Sequence, residues 1–230
     1  MGGSEDSAHL DQAMGLVVEA LRFLSARVST LEARIETEDR PVHGAAWLSP
    51  ARELGSWTEV VAAHLAAGSP GGTVVHADCG EGALIGALAA RGVDALGVEP
   101  RGGVALRALE GGCLVVIAEV HEYLAPLAAG TLGGLALTGV VDRIPLHAVI
   151  SLLSQSRRTL ARGAPIVVVS EPVDANASRQ PPGRDLVSGH PLHAATWELL
   201  LERTGFVDVA LLPGTEGQDG RSALTATVPP

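Results

Sequence analysis

Aromatic residues make up only 3% of this 230-residue chain, and cysteine and methionine occur twice each. So few rings leave no base-stacking platform of the kind that single-stranded nucleic acid binding needs. Positive charge is scarce as well. Sixteen basic residues against 26 acids give a net charge of −10 and a pI near 5.2. That balance argues against nucleic acid and anionic membranes as partners. The two cysteines, Cys79 and Cys113, form no CxxC and no metal-ligand spacing. They read as small buried residues in a reducing compartment, and no metal site is expected. No uncharged apolar run of 18 residues occurs, and the N-terminus has no basic stretch leading into an apolar core. The expectation is a soluble, cytoplasmic protein with no membrane partner.

What is present is aliphatic. The chain is 47% hydrophobic and 18% charged, which suits one α/β domain with an appendage. Residues 1–14 are polar. Val17, Leu21, Leu24, Val28, Leu31 and Ile35 then follow one another at spacings of four and three. This a/d seam reads either as a single helix laid against the domain or as a short coiled coil that makes a homodimer through residues 17–35. Residues 1–46 are therefore expected to be a tail plus heptad helix, and residues 47–230 the main domain. A helix is expected at 51–67, ended by the GSPGG cluster at 68–72. Strands then alternate with helices. Strands are expected near 73–78, 94–99, 113–117, 134–141 and 164–170, and helices near 83–91, 102–110, 120–128, 145–161 and 192–204. Apolar runs such as Ile166–Val169 suit strands covered on both faces. Two last strand-like runs, 206–212 and 222–228, are joined by a polar loop and read as an antiparallel edge pair.

Thr73–Pro100 carries the most information. It reads as strand, glycine turn, helix, and a second strand ending in Glu99. Gly80 and Gly82 let the backbone approach a ligand closely. The helix that follows aims free N–H groups at it, and an acid at the tip of the next strand suits a ribose diol. A dinucleotide fingerprint would need a third glycine where Ile85 stands, so NAD is disfavoured. The Tyr-x-x-x-Lys pair of a sugar reductase or epimerase is excluded, because the one tyrosine, Tyr123, is followed four residues later by Leu127.

Through VVHADCGEG, GVEP, IAEVHEYL, LTGVVDRI, RRTLARGAPIVVVSEP and HPLHAATWELLLERTGFVDVALLP, residues Trp47 to Val228 resemble the class I S-adenosylmethionine-dependent methyltransferases. They are similar in particular to bacterial ones encoded with polysaccharide and glycosylation genes. The resemblance implies a Rossmann-like, mostly parallel seven-stranded sheet with an antiparallel edge pair, preceded here by the N-terminal helix. It implies S-adenosylmethionine as cofactor. Gly80 and Gly82 would approach its methionine part, Glu99 would hold the ribose hydroxyls, and Pro100 would lie near the adenine edge. Glu119 would accept from the adenine amino group with Val120 beside it, and Thr138 would line the methionine side. The chain departs from the family pattern at the first motif. His76 stands where the first acid is usual and Asp78 where the first glycine is usual, and Asp78 would supply the carboxylate from two positions later. Asp142 and Arg143 stand where relatives often have Glu-His.

An acceptor hydroxyl needs a base, and histidine titrates near neutrality. The histidines expected beyond the strand tips are His121, His147, His190 and His193, with Asp142 able to orient one of them. The long connection 172–190 reads as a lid or binding loop, where Arg179 and Arg184 could grip an anionic acceptor. Two functions are carried forward. One is an O-methyltransferase acting on a sugar or a small secondary-metabolite hydroxyl. The other is a non-catalytic methyltransferase-like assembly protein that has lost its cofactor.

Overall fold

The computed structural model describes residues 54–173, 188–215 and 220–230. The heptad helix at 17–35, the boundary at 46/47, Arg179 and Arg184 lie outside the described residues.

A 3-10 turn at Gly55–Trp57 leads into α1 (Thr58–Gly68), and Trp57 of the turn lines up with Val61 and Leu65 of the helix in one buried stripe at four-residue spacing. The chain then runs β1 (Thr73–Ala77), α2 (Ala83–Ala89), β2 (Ala95–Val98), α3 (Gly102–Glu110), β3 (Val115–Val116), α4 (Val120–Leu124) and β4 (Leu132–Thr138). It continues through a 3-10 turn at Val140–Asp142, α5 (Leu146–Thr159), β5 (Pro165–Ser170), α6 (Ala194–Arg203), β6 (Val207–Leu211) and β7 (Ser222–Thr227).

The seven strands form one sheet in the order β3-β2-β1-β4-β5-β7-β6. All pairs from β3 to β5 are parallel, and β7 runs antiparallel to both β5 and β6. This is the expected sheet, including its antiparallel edge. Every residue of β4 and β5 is buried, as strands covered on both faces must be. Alternation along the strands sends neighbours into opposite layers. Val75, Leu135 and Ile166 pack with Trp197 on one side. Val74, Ala136 and Val167 pack with Trp57 and Leu84 on the other.

Three elements are shorter than their patterns suggest. β4 stops at Thr138 because Gly139, at φ +66°, turns the chain out of the strand. α4 stops at Leu124 because Pro126 has no N–H with which to continue it. β3 is an edge strand paired on one side, with two residues in the ladder. The cysteines are free thiols. Cys79 Sγ lies against Gly97, and Cys113 Sγ fills the space where a side chain on Gly82 would go.

This order positions the site. Successive crossovers run outward from β1 in one direction and from β4 in the other, so the β1/β4 boundary is the topological switch point. In such sheets the crevice lies there, beyond the strand tips. Among the described residues, no helix is long and apolar enough to cross a membrane.

Candidate functional site

Five charged side chains converge on the tips of β1, β2 and β4. Asp78 opens the turn after β1 at φ +55°, an unusual conformation for a residue with a side chain. Aspartate tolerates it at a cost of about 1 kcal/mol. The turn is pinned by Asp78 N–H donating to Val98 O at 2.8 Å. The Asp78 carboxylate forms a buried ion pair with the Arg143 guanidinium, which comes from the turn after β4. That pair therefore spans the switch-point crevice. Burial pushes the Asp78 carboxyl up to about 6, against the pull of Arg143 and with help from the Glu99 charge.

Glu99, at the tip of β2, is fully buried. Its Oε2 accepts from Gly80 N–H at 3.0 Å and from Arg101 Nη2 at 2.8 Å. Its Oε1 accepts from the Arg101 main-chain N–H at 3.0 Å and from Arg101 Nε at 2.6 Å. The expected ribose acid and the expected glycine turn are thus joined, and Arg101 holds the same carboxylate in a bidentate pair. Burial works against the Arg101 charge, but its hydrogen bonds to Glu99 and that carboxylate's charge hold the guanidinium above its usual range.

His76, on β1, is buried beside Thr138, the last residue of β4. Thr138 Oγ1 donates its one proton to Ala77 O at 3.0 Å. His76 Nε2, 2.9 Å from that oxygen, must therefore carry a proton and donate it. This leaves His76 Nδ1 as a bare acceptor, with no partner among the described residues. Burial lowers the imidazole to about 3, so it is neutral. Glu119, half-buried at the start of α4, is pushed up to about 7 by burial and then by the Asp78 charge. Gly82 caps α2 at φ +89°. Pro100 is buried beside Glu99. Val120 packs into the hydrophobic layer around α5.

The candidate histidine bases and Asp142, expected to orient one of them, are more dispersed. Asp142 is buried and accepts from Ser170 Oγ at 2.6 Å and Glu171 N–H at 2.9 Å, tying the turn after β4 to the end of β5. His193 caps α6, its Nδ1 accepting from Ala195 N–H at 3.2 Å. His147 and His121 are exposed near the starts of α5 and α4. His190 lines a cavity of about 40 Å³ whose walls include Val141, Ile144, Val149 and Leu192. Its backbone neighbour Gly189 donates to Arg143 O at 3.0 Å, so the cavity abuts the residue that grips Asp78. Among the described residues, no cluster of three metal-ligating side chains occurs.

Sequence reasoning did not single out Arg101 or Ser170. A signal for Arg101 existed. Helix N-caps favour Ser, Thr, Asp and Asn, and a cation there opposes the helix dipole. An arginine as the N-cap of α3 therefore implies a compensating acid, and Glu99 is two residues away.

No family model matches this chain, and no curated protein matches it in sequence. Solved structures do match in fold. One is a S-adenosylmethionine-dependent methyltransferase from Archaeoglobus fulgidus, 19% identical with a TM-score of 0.57, aligned over 74% of this chain and 94% of its own. Another is the magnesium protoporphyrin IX methyltransferase of Synechocystis PCC 6803 with bound S-adenosylmethionine, at 17% identity and TM-score 0.54, over 74% and 77%. A third is an O-methyltransferase from neocarzinostatin biosynthesis, in complex with S-adenosylmethionine and 2-hydroxy-5-methyl naphthoic acid. It is 18% identical at TM-score 0.53, over 76% of this chain, which spans 57% of that structure's length. The fold is that of the class I S-adenosylmethionine-dependent methyltransferases.

Proposed function

We propose that this chain is a S-adenosylmethionine-dependent O-methyltransferase acting on a sugar or a small secondary-metabolite hydroxyl. The observation that carries this reading is the hydrogen bond from Gly80 N–H to Glu99 Oε2, which joins the glycine turn and the ribose carboxylate at the sheet's crevice. The residues fit a nucleoside on one condition, that the Arg101 side chain leaves Glu99. Glu99 would then accept from the two ribose hydroxyls. Gly80 and Gly82 would pass under the methionine part, with Asp78 and Thr138 beside it. Glu119 would face the adenine edge. The bound cofactor supplies an electrophilic methyl group on a sulfonium.

His190 is the proposed base, because it alone of the candidate histidines lines the cavity next to Arg143. In-line displacement needs alignment and exclusion of water more than it needs a strong base. The test is isothermal titration with S-adenosylhomocysteine, using Glu99→Ala as control. Saturable heat in the wild type that is lost in the variant supports the reading. Silence at millimolar ligand, both in the wild type and after Arg101 is removed, ends it.

One observation favours the second reading, a non-catalytic assembly protein joined through residues 17–35. Glu99 already has its full complement of donors within the protein. That reading predicts no thermal shift with S-adenosylmethionine or S-adenosylhomocysteine, together with a stable oligomer that dissociates when residues 1–46 are removed.

A further inference from the structure

The four hydrogen bonds on Glu99 divide into two kinds. Two come from main-chain N–H groups, those of Gly80 and Arg101, and are fixed by the fold. The other two come from one side chain, the Arg101 guanidinium, which gives one bond to each carboxylate oxygen. A carboxylate offers about four lone-pair positions, so the set is complete. A ribose diol also brings two donors. The guanidinium therefore stands in for the diol one bond for one bond, within a pair that is 9% exposed on one side and fully buried on the other.

We infer that Arg101 is a built-in competitor for the ribose subsite and sets its specificity: a ligand binds only by exchanging a vicinal diol for the guanidinium on Glu99. This rests on the reading of Glu99 as the ribose carboxylate. The exchange moves one side chain and leaves the turn alone, because Arg101 keeps its main-chain bond to Glu99, and its carbonyl still accepts from Val104 and Ala105 at the start of α3. Before a ligand enters, the Glu99 carboxylate is already satisfied, so a nucleoside relieves nothing there. Binding gains little at this subsite, and a ligand that brings one hydroxyl instead of two leaves a buried acceptor short of a donor, which is costly. Removing the guanidinium reverses the balance. The free protein then holds a buried carboxylate missing two donors, and the diol supplies them.

The experiment titrates S-adenosylhomocysteine into the wild type, Arg101→Ala and Arg101→Met by calorimetry, with thermal melts to confirm that the variants are folded. Arg101→Met keeps the apolar stem and removes only the donors. The expected result is binding at least tenfold tighter in the folded variants than in the wild type. Equal or weaker binding in them overturns the inference while leaving the cofactor reading intact. No binding by any of the three proteins ends both. A wild-type measurement makes the test independent of the variants. The Arg101 Nε–H, held at 2.6 Å by Glu99, should be protected from solvent exchange in the free protein and lose that protection at saturating ligand. Protection that persists at saturation overturns the inference as well.

Discussion

Asp78 and Arg143 form a buried ion pair that ties the turn after β1 to the turn after β4, across the switch point of the sheet. Asp78 adopts φ +55° at a position where glycine would be unstrained, so the pair offsets the cost of that backbone. Removing one partner of a buried pair strands the other charge, typically at about 3–5 kcal/mol. Arg143→Met should therefore destabilise the fold by about that much in urea titrations. Asp78→Gly alone should also destabilise, although it relieves the turn. The double variant should recover much of the loss, because no charge is left unpaired. Additive effects in this cycle would show that the two side chains do not act as a unit.

His76 makes stability depend on pH in a definite direction. Its folded-state pKa, lowered by burial from 6.5 to about 3, means the unfolded chain binds the proton more readily. The contribution is fully present above pH 6.5 and is lost as pH falls toward 3, at about 1.4 kcal/mol per unit. Asp78 and Glu119 act oppositely. Their raised values mean stability is lost as pH rises, from 3.8 through about 6 for Asp78 and from 4.5 through about 7 for Glu119. Subtracting the curve of His76→Gln from that of the wild type isolates the histidine. The difference should shrink steadily below pH 6.5. A pH-independent difference would mean that His76 takes up its proton in the folded protein as readily as in the unfolded chain.

The sheet is legible because most strands are short apolar runs bounded by glycine or proline, a pattern carried by residue order. Glu99 and Gly80 were legible because a strand tip and a glycine turn have local signatures. What stayed hidden was side-chain pairing. Nothing in GVEP marks the carboxylate as already claimed, since the claimant, Arg101, lies within the next helix cap. Asp142 followed the same pattern. Placed after β4 it reads as able to orient a histidine, and nothing local shows that its oxygens accept from Ser170 and Glu171, 28 and 29 residues on. β4 and α4 end short of their apolar patterns because one residue, Gly139 or Pro126, overrides each pattern.

Gly82 and Cys113 test how tightly the glycine turn is packed. A Cβ on Gly82 would lie 2.5 Å from Cys113 Sγ and 3.1 Å from its Cβ, on a backbone at φ +89°. Gly82→Ala should therefore destabilise by overpacking, about 1–3 kcal/mol, plus about 1 kcal/mol of backbone strain. Adding Cys113→Ala removes the sulfur and should return the packing part, leaving the strain. Thermal melts of the two single variants and the double variant measure this. A double variant no better than Gly82→Ala would place the cost in the backbone alone.

His190 and His193 stand three residues apart ahead of α6, yet the structure gives them separable roles. His193 Nδ1 accepts from Ala195 N–H as the N-cap, a bond that satisfies one of the helix's unpaired donors. His193→Ala should cost about 1 kcal/mol, and His193→Asn should restore most of it, since asparagine is a strong N-cap. His190 is exposed at the cavity, and its replacement by alanine should change stability by less than about 0.5 kcal/mol. Neither variant should alter S-adenosylhomocysteine affinity, because neither touches Glu99 or the glycine turn. Denaturation curves and calorimetry on the same samples read both effects. A His190→Ala variant as destabilised as His193→Ala would mean that His190 supports the loop, and would remove the reason for preferring it as the base.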